Sequence, residues 1–254
     1  MKIFALAFAG LLITPEAPYD PADRTNPDYL EGLAGGGARY QRCVAVVSED
    51  PEGARAVALE WTQAGGGPPA THCLALADLA RGYPKLAGAR LALLAEDGRA
   101  GDVLVRARLL EQAALAFLEA DEDAQALDAI KNAIAMAPNA GEIRLTAGVV
   151  NAANENWEAV VKSVTAAEET GVVSLDGYLA RTRAYLALAK ARQAAEDVVN
   201  ALRIDPFNVD ALVLRGEILQ AGVDVAASYR RRGAEPPADP DVPDPPSAPA
   251  QTPR

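Results

Sequence analysis

The chain has 254 residues, of which half are hydrophobic and only 5% aromatic, and its formal net charge is −11. This length and apolar content suffice for a substantial buried core, which excludes disorder over most of the chain. The negative charge excludes the basic stripe that a phosphate backbone requires, so we expect no nucleic-acid partner. Alanine and leucine outnumber aromatic residues, which indicates closely packed helices and an all-α fold.

The amino-terminal sequence is typical of an export signal. Lys2 precedes the apolar run 3–13, which is too short for the roughly 20 residues of a membrane-spanning helix but fits the apolar region of a signal peptide. We expect residues 1–17 to be a signal peptide, with no stable membrane span. A cleavage site is hard to place because Pro18 follows Ala17, so a buried first helix or a misassigned start is the alternative.

The next segments are a linker and two helical hairpins. Residues 18–36, rich in proline and glycine, are predicted to be a linker. The first hairpin is predicted over 38–64 with a break at Asp50–Pro51, and the Gly- and Pro-rich stretch 65–69 ends it. A second hairpin is predicted over 70–95, with Tyr83 as the late aromatic of its first helix and Gly88 making its second helix irregular.

An internal repeat begins at Ala107. Pro138 and Pro206 lie 68 residues apart, twice 34, and the residues that precede them match at equal offsets. The matched sets are Leu110, Ala113, Ala114, Phe117, Ala126, Ile130 and Ala133, and Tyr178, Arg181, Thr182, Tyr185, Ala194, Val198 and Ala201. The units are 107–140, 141–174 and 175–208, followed by a first helix over 209–221 and a short capping helix to residue 232. The middle unit departs at Arg144 and Val172.

This pattern resembles the tetratricopeptide repeat, as found in bacterial envelope proteins. The resemblance extends over residues 38–221 and is strongest after residue 107. It implies a right-handed α-solenoid of helix-turn-helix repeats over residues 37–232, and a role in binding another protein or peptide.

The same resemblance implies a concave groove lined by the first helices. The residues at the family's contact positions are Arg108, Glu111, Gln112, Leu115, Leu118, Leu145, Thr146, Val149, Leu179, Arg183, Leu186, Val213 and Glu217. The groove is aliphatic and lacks the lysines and asparagines with which relatives clamp chaperone carboxylates. We therefore expect an apolar peptide or amphipathic helix as ligand, with Arg183 adding polar selection. The alternative is that several of these leucines pack against neighbouring helices or the linker.

The two cysteines, Cys43 and Cys73, fall in the predicted first helices of adjacent hairpins, 30 residues apart. Neighbouring helices make a disulfide plausible, and closing this loop stabilises a fold by roughly 3–4 kcal/mol. A disulfide agrees with export to the periplasm. Two buried free thiols in a cytoplasmic protein are the alternative.

Motifs for catalysis are missing. The sequence has no phosphate-binding loop, no Gly-x-Ser-x-Gly and no His-Glu-x-x-His. His72 is the only histidine, and a metal site with Cys43 and Cys73 would lack a fourth ligand. We expect His72 to be a first-turn surface or packing residue, and we expect no cofactor, no metal and no enzymatic activity.

The predicted function is that of an exported, noncatalytic scaffold or adaptor. Two alternatives are an accessory subunit of an envelope-assembly or cytochrome-maturation machinery, and a cytoplasmic co-chaperone-like repeat protein. The last segment, residues 233–254, holds eight prolines and one large aliphatic residue, Val242. It is predicted to be a disordered tail.

Overall fold

The structure is a computed structural model that describes residues 37–231, with side chains up to residue 228. The segments predicted as signal peptide, linker and tail, residues 1–17, 18–36 and 233–254, lie outside the described residues. Between residues 37 and 231 the chain forms α-helices and one 3₁₀ turn, with no strand. The α-helices are α1 Gly37–Val47, α2 Pro51–Gln63, α3 Gly67–Ala80, α4 Pro84–Glu96, α5 Val103–Glu119, α6 Asp123–Met136, α7 Gly141–Ala153, α8 Trp157–Glu169, α9 Leu175–Ala187, α10 Ala191–Ile204, α11 Val209–Gln220 and α12 Val225–Arg231.

The helices pair in chain order into six hairpins that stack in two layers. Odd-numbered first helices form one layer, in which α1 packs on α3, α5 on α7, α7 on α9 and α9 on α11. Among the even-numbered second helices of the described region, only α10 and α12 pack substantially on each other. The first helices therefore pack on one another more than the second helices do, although α3 and α5 are not in close contact. The predicted α-solenoid is confirmed, and we call the face formed by its odd-numbered helices the concave face, after the predicted groove.

Left-handed residues in the hairpin turns mark the register of the repeats. Gly82, Asp121, Glu155 and Ala189 have φ values of 78°, 56°, 57° and 55°, and they follow one another at intervals of 39, 34 and 34 residues. The predicted period of 34 is therefore confirmed after the second hairpin. The first interval is five residues longer than the period. The extra residues form the 3₁₀ turn Gly98–Ala100 and the first turn of α5, and α5 begins four residues before the predicted repeat unit.

The second hairpin differs from its sequence-based prediction. Tyr83, expected late in the first helix, directly precedes α4 and is 50% exposed, since α3 ends three residues before it. Pro68 and Pro69, expected in a loop, form the first turn of α3, where a missing N–H costs no helical hydrogen bond. The second helix α4 is unbroken at Gly88. This glycine lies under the ring of Phe117, and a Cβ there would meet Phe117 Cδ1 at 2.9 Å.

Helix starts follow local polar signals that the sequence displays. Asp50 accepts a hydrogen bond from the Gly53 amide at 2.9 Å and Pro51 begins α2, which confirms the predicted break. Ser174 and Asn208 cap α9 and α11 in the same way. The Arg144 guanidinium donates to the Pro138 carbonyl at 2.8 Å, so the polar residue in the middle unit closes the preceding turn.

Two buried clusters of charged residues link neighbouring hairpins. A carboxylate lies at the centre of the first cluster and an arginine at the centre of the second. In the first, Asp78 of α3 is fully buried and accepts hydrogen bonds at 2.8 Å from both Arg55 of α2 and Arg90 of α4. A carboxylate on a first helix thus joins the second helices on either side of it. Such an arrangement satisfies a buried charge and fixes the relative positions of three helices.

The second cluster reverses these charges. Arg181 of α9 donates to Asp197 of α10 at 2.6 and 2.9 Å and to Glu168 of α8 at 2.8 Å. Burial lowers the pKa of Arg181, but its hydrogen bonds and ion pairs with Asp197 and Glu168 outweigh burial and raise that pKa above its ordinary value. The guanidinium therefore stays charged inside the array.

Candidate functional site

The concave face carries a row of aliphatic side chains on successive first helices. These residues are Leu115, Leu118, Leu145, Val149 and Leu186 of α5, α7 and α9. Each is partly buried: Leu118, Leu145 and Leu186 also pack against the apolar clusters beneath them. Each side chain therefore keeps an exposed portion, and the packing of Leu118, Leu145 and Leu186 restricts their orientation.

Leu179 and Glu111, both predicted groove residues, are buried. Leu179 is 4% exposed and packs in one apolar cluster with Ala211 and Leu214 of α11, since the next first helix covers it. Glu111 is 8% exposed. A ligand in the groove reaches neither side chain directly, so both support the face from below.

Val213 occupies the repeat position of Leu179, 34 residues later, yet it is 55% exposed. In the described part of the chain, no further first helix follows α11 to cover it. Val213 therefore faces the end of the array, away from the row of leucines.

The polar residues of the groove largely bind one another. Arg108 donates to Glu111 at 2.7 Å and to Glu142 of the next hairpin at 3.2 Å. Thr146 donates its hydroxyl hydrogen to the other oxygen of Glu111 at 2.5 Å. These contacts pair Arg108 with two carboxylates without a ligand, although the Arg108 Nε is buried with no hydrogen-bond partner among the described residues.

Arg183 forms the second polar bridge across the face. Its Nη2 donates to Asp210 of α11 at 2.9 Å, and both side chains remain partly exposed, by 31% and 63%. An anionic ligand would have to compete with Asp210 for this guanidinium. The last predicted groove residue, Glu217, is exposed on α11.

The amino-terminal end of the face is held by a disulfide and a buried histidine. Cys43 of α1 and Cys73 of α3 are bonded to each other, with their Cα atoms 6.2 Å apart. His72 is 1% exposed, which places it in the core and excludes the surface position considered from the sequence. The Tyr40 hydroxyl lies 2.7 Å from His72 Nδ1, and Gln112 Oε1 lies 2.8 Å from Nε2.

These contacts fix the protonation of His72. Because an amide oxygen can only accept, Nε2 carries the proton and Nδ1 accepts from Tyr40. Burial lowers the pKa of His72 to about 4, and the hydrogen bond to Gln112 opposes this shift only in part. His72 is thus neutral near pH 7, and it links α1, α3 and α5. Gln112, a predicted groove residue, is engaged in this link.

The remaining surfaces offer less for a ligand. Among the described residues, no three His, Cys, Asp or Glu side chains converge on a common point. A cleft of about 530 Å³ separates α4 from α6 on the outer side, but its charged residues Glu96, Arg106 and Asp128 are all at least partly exposed. No helix within residues 37–231 combines the length and apolar character needed to cross a bilayer.

Comparison with known proteins identifies the fold. No protein-family model and no curated protein matches the sequence. Among solved structures, the chain is similar to YrrB, described as a TPR protein with an unusual peptide-binding site, with a TM-score of 0.56 and 17% identity over 70% of this chain and 91% of that one.

Two further solved structures are more distant. One is TTC0263, a TPR protein of Thermus thermophilus, with a TM-score of 0.48 and 19% identity over 72% of this chain and 98% of that one. The other is PilF of Pseudomonas aeruginosa, with a TM-score of 0.41 and 15% identity over 72% and 97%.

Proposed function

We propose that this chain, which has the tetratricopeptide-repeat fold, is a noncatalytic scaffold whose concave face binds an apolar peptide or an amphipathic helix of another protein. The observation that carries the proposal is the row of half-buried aliphatic side chains on α5, α7 and α9. Oriented aliphatic residues on successive helices form the kind of surface that receives the apolar face of a helix.

The polar residues of the face support an apolar ligand. Arg108, Glu111, Glu142 and Thr146 are already bonded to one another, and Arg183 is paired with Asp210. A ligand would therefore gain binding energy mainly by covering the leucines, at roughly 25 cal/mol per Å² of apolar area. A carboxylate clamp would require free cations, which these pairs do not provide.

Charge favours a ligand with basic flanking residues. The chain carries a net charge of −11, and Asp176, Asp210 and Glu217 lie exposed on α9 and α11. Lysine or arginine beside the apolar residues of a ligand would speed its encounter with this end of the face, and the effect would weaken as salt is added. The similarity to YrrB, a protein with a peptide-binding site, agrees with this proposal.

The test is selection of ligands from a phage-displayed library of 12-residue peptides on the immobilised full chain. We expect enriched peptides to carry aliphatic or aromatic residues at helical spacing together with basic residues. Leu118→Asp and Leu186→Asp should each weaken the affinity of a synthetic enriched peptide at least tenfold, the loss expected from one apolar contact. Leu93→Asp, at a 68% exposed position on outer helix α4, is the matched control.

Circular dichroism must show that all three variants keep their helices. Equal affinity of the folded Leu118, Leu186 and Leu93 variants would show that the peptide binds elsewhere, and the concave-face proposal would fail.

We further propose that the chain works in an oxidising compartment, with the periplasm as the expected location. The bond between Cys43 and Cys73 supports this proposal, since cytoplasmic thiols are kept reduced. Alkylation of native cells before lysis, followed by intact-mass measurement, provides the test. A chain two hydrogens lighter than its reduced form is expected, and alkylation of both cysteines would indicate a cytoplasmic protein.

A further inference from the structure

Helix α11 has two apolar faces, and the array uses only one of them. Ala211, Leu214 and Ile218 are at most 5% exposed and pack against the array. On the opposite side of the helix is a stripe with helical spacing, which we call the end stripe: Val209, Leu212, Val213, Gly216 and Leu219. The four large members of the end stripe are 71%, 37%, 55% and 51% exposed. A helix that is apolar on both sides is normally buried on both sides.

Earlier repeats show what normally covers these positions. Leu179, which corresponds to Val213, is 4% exposed because it packs with Ala211 and Leu214 of the next first helix. Thr182, which corresponds to Gly216, is 0% exposed, and the equivalent Gly148 faces Val164 of the second helix α8. Phe117, three repeats before Leu219, is 7% exposed, and its ring lies over Gly88 of a second helix, α4. Beyond α11 the structure describes only α12, a helix of seven residues that leaves the end stripe open. The described array therefore ends on a face built to receive another helix.

Charges flank the end stripe asymmetrically. At 100° per residue, Arg215 lies about 100° to one side of the stripe's centre, and Asp210 and Glu217 lie about as far to the other side. If two copies of α11 packed in parallel about a two-fold axis, Arg215 of each would face Glu217 of the other, as flanking charges do in parallel coiled coils. An antiparallel pair would instead bring like charges together.

We propose that the end stripe is a homodimer interface, in which α11 of one chain packs in parallel against α11 of a second chain. Together with Phe207, 85% exposed in the preceding turn, the stripe presents on the order of 400 Å² of apolar surface. A standard interface buries about 800 Å² per partner, a little more than half of it apolar, so the apolar area of the stripe is of the same order as that of such an interface.

The chain's own tail fits the end stripe poorly. Residues 233–254 contain eight prolines and Val242 as the single large aliphatic residue, so they cannot supply a complementary apolar helix face. A second copy of the chain supplies both the apolar residues and the matching charges, because each chain contributes the same end stripe to the interface.

The test uses sedimentation equilibrium of the full oxidised chain up to about 100 µM, a range that detects micromolar self-association. We expect a wild-type dimer. Val213→Glu, which introduces a charge into the stripe, should weaken the dimer about a hundredfold. Leu93→Glu, at a position that is also mostly exposed but lies on α4, should leave the dimer unchanged.

A charge exchange tests the parallel arrangement. Arg215→Glu places Glu opposite Glu in its own dimer, and Glu217→Arg places Arg opposite Arg, so each variant alone should dimerise about tenfold more weakly at low salt. Mixing the two variants restores both Arg–Glu pairs, and the mixture should form a heterodimer as tight as the wild-type dimer.

Two outcomes would overturn the proposal. A wild-type chain that stays monomeric at the highest concentration would mean that a segment of the same chain, or another protein, covers the stripe. A dimer that tolerates Val213→Glu, or two charge variants that gain nothing on mixing, would place the interface elsewhere or in another orientation.

Discussion

Lowering the pH from 7.5 to 5.0 should destabilise this fold through one residue, His72. In the folded chain the ring is buried, accepts from Tyr40 and donates to Gln112, so burial lowers its pKa to about 4. In the unfolded chain the ring should have its ordinary pKa of 6.5. Because the folded pKa lies below the unfolded one, the unfolded state binds the proton more strongly. The stability contributed by His72 is present above pH 6.5 and is lost as the pH falls toward 4.

The magnitude follows from these two pKa values. One pKa unit corresponds to about 1.36 kcal/mol, so the full contribution is about 3 kcal/mol. Between pH 7.5 and pH 5.0 linkage predicts a loss of about 2 kcal/mol in the free energy of unfolding. Urea unfolding at the two pH values, with the disulfide intact, measures this loss.

The control is His72→Gln, which keeps a hydrogen-bond donor but cannot titrate. This variant should be less stable than the wild type at pH 7.5, but its stability should fall by about 2 kcal/mol less on acidification. Carboxylates titrate in both proteins, so the difference between them isolates the histidine.

A second assay observes the proton directly. His72 is the only histidine in the chain, so its ring resonances in an NMR spectrum need no further assignment. We expect a titration midpoint near pH 4 in the folded protein. A midpoint near pH 6.5, or equal acid sensitivity of wild type and His72→Gln, would refute the assignment of a neutral, buried ring.

Three further changes test the fold. Asp78→Asn leaves two arginines facing a buried neutral amide and should cost about 3 kcal/mol in urea unfolding; a loss under 1 kcal/mol would mean that the cluster relaxes into water. Replacing Cys43 and Cys73 by alanine should lower the free energy of unfolding by roughly 3–4 kcal/mol, because the disulfide restricts the unfolded chain. A reducing agent should then no longer change the melting temperature. Ala189→Gly should stabilise the chain by about 1 kcal/mol, because Ala189 has φ 55°, whereas the same change at Ala56, exposed in the middle of α2, should destabilise it by a similar amount. Equal effects at the two alanines would contradict the left-handed turn.

Local signals allowed much of the fold to be predicted. The period of 34 and the break at Asp50–Pro51 depend on residues close together in the chain, and the structure confirms both. The register of the second hairpin was wrong because Tyr83 imitates the late aromatic of a first helix. Gly98 and Gly101 mark the loop that separates this hairpin from the next, but they do not reveal that it is five residues longer than the repeat requires.

The candidate site was less accessible to sequence reasoning. Repeat positions predicted an aliphatic row on α5 and α7, which stays a prediction, and they treated Leu179, Leu186 and Val213 as equivalent. Their exposure differs because neighbouring helices cover Leu179 fully and Leu186 only in part, whereas no further first helix of the described residues packs beside Val213. Asp78 likewise finds its partners 23 residues before it and 12 residues after it, on two other helices.

The sequence by itself determined that this chain forms helical hairpins with a 34-residue period, since caps, turns and apolar spacing act over a few residues. The tertiary structure decided which side chains a partner can reach, because exposure depends on the helix packed above each residue. The same packing buried His72, paired Arg108 with Glu142, and left the outer face of α11 open.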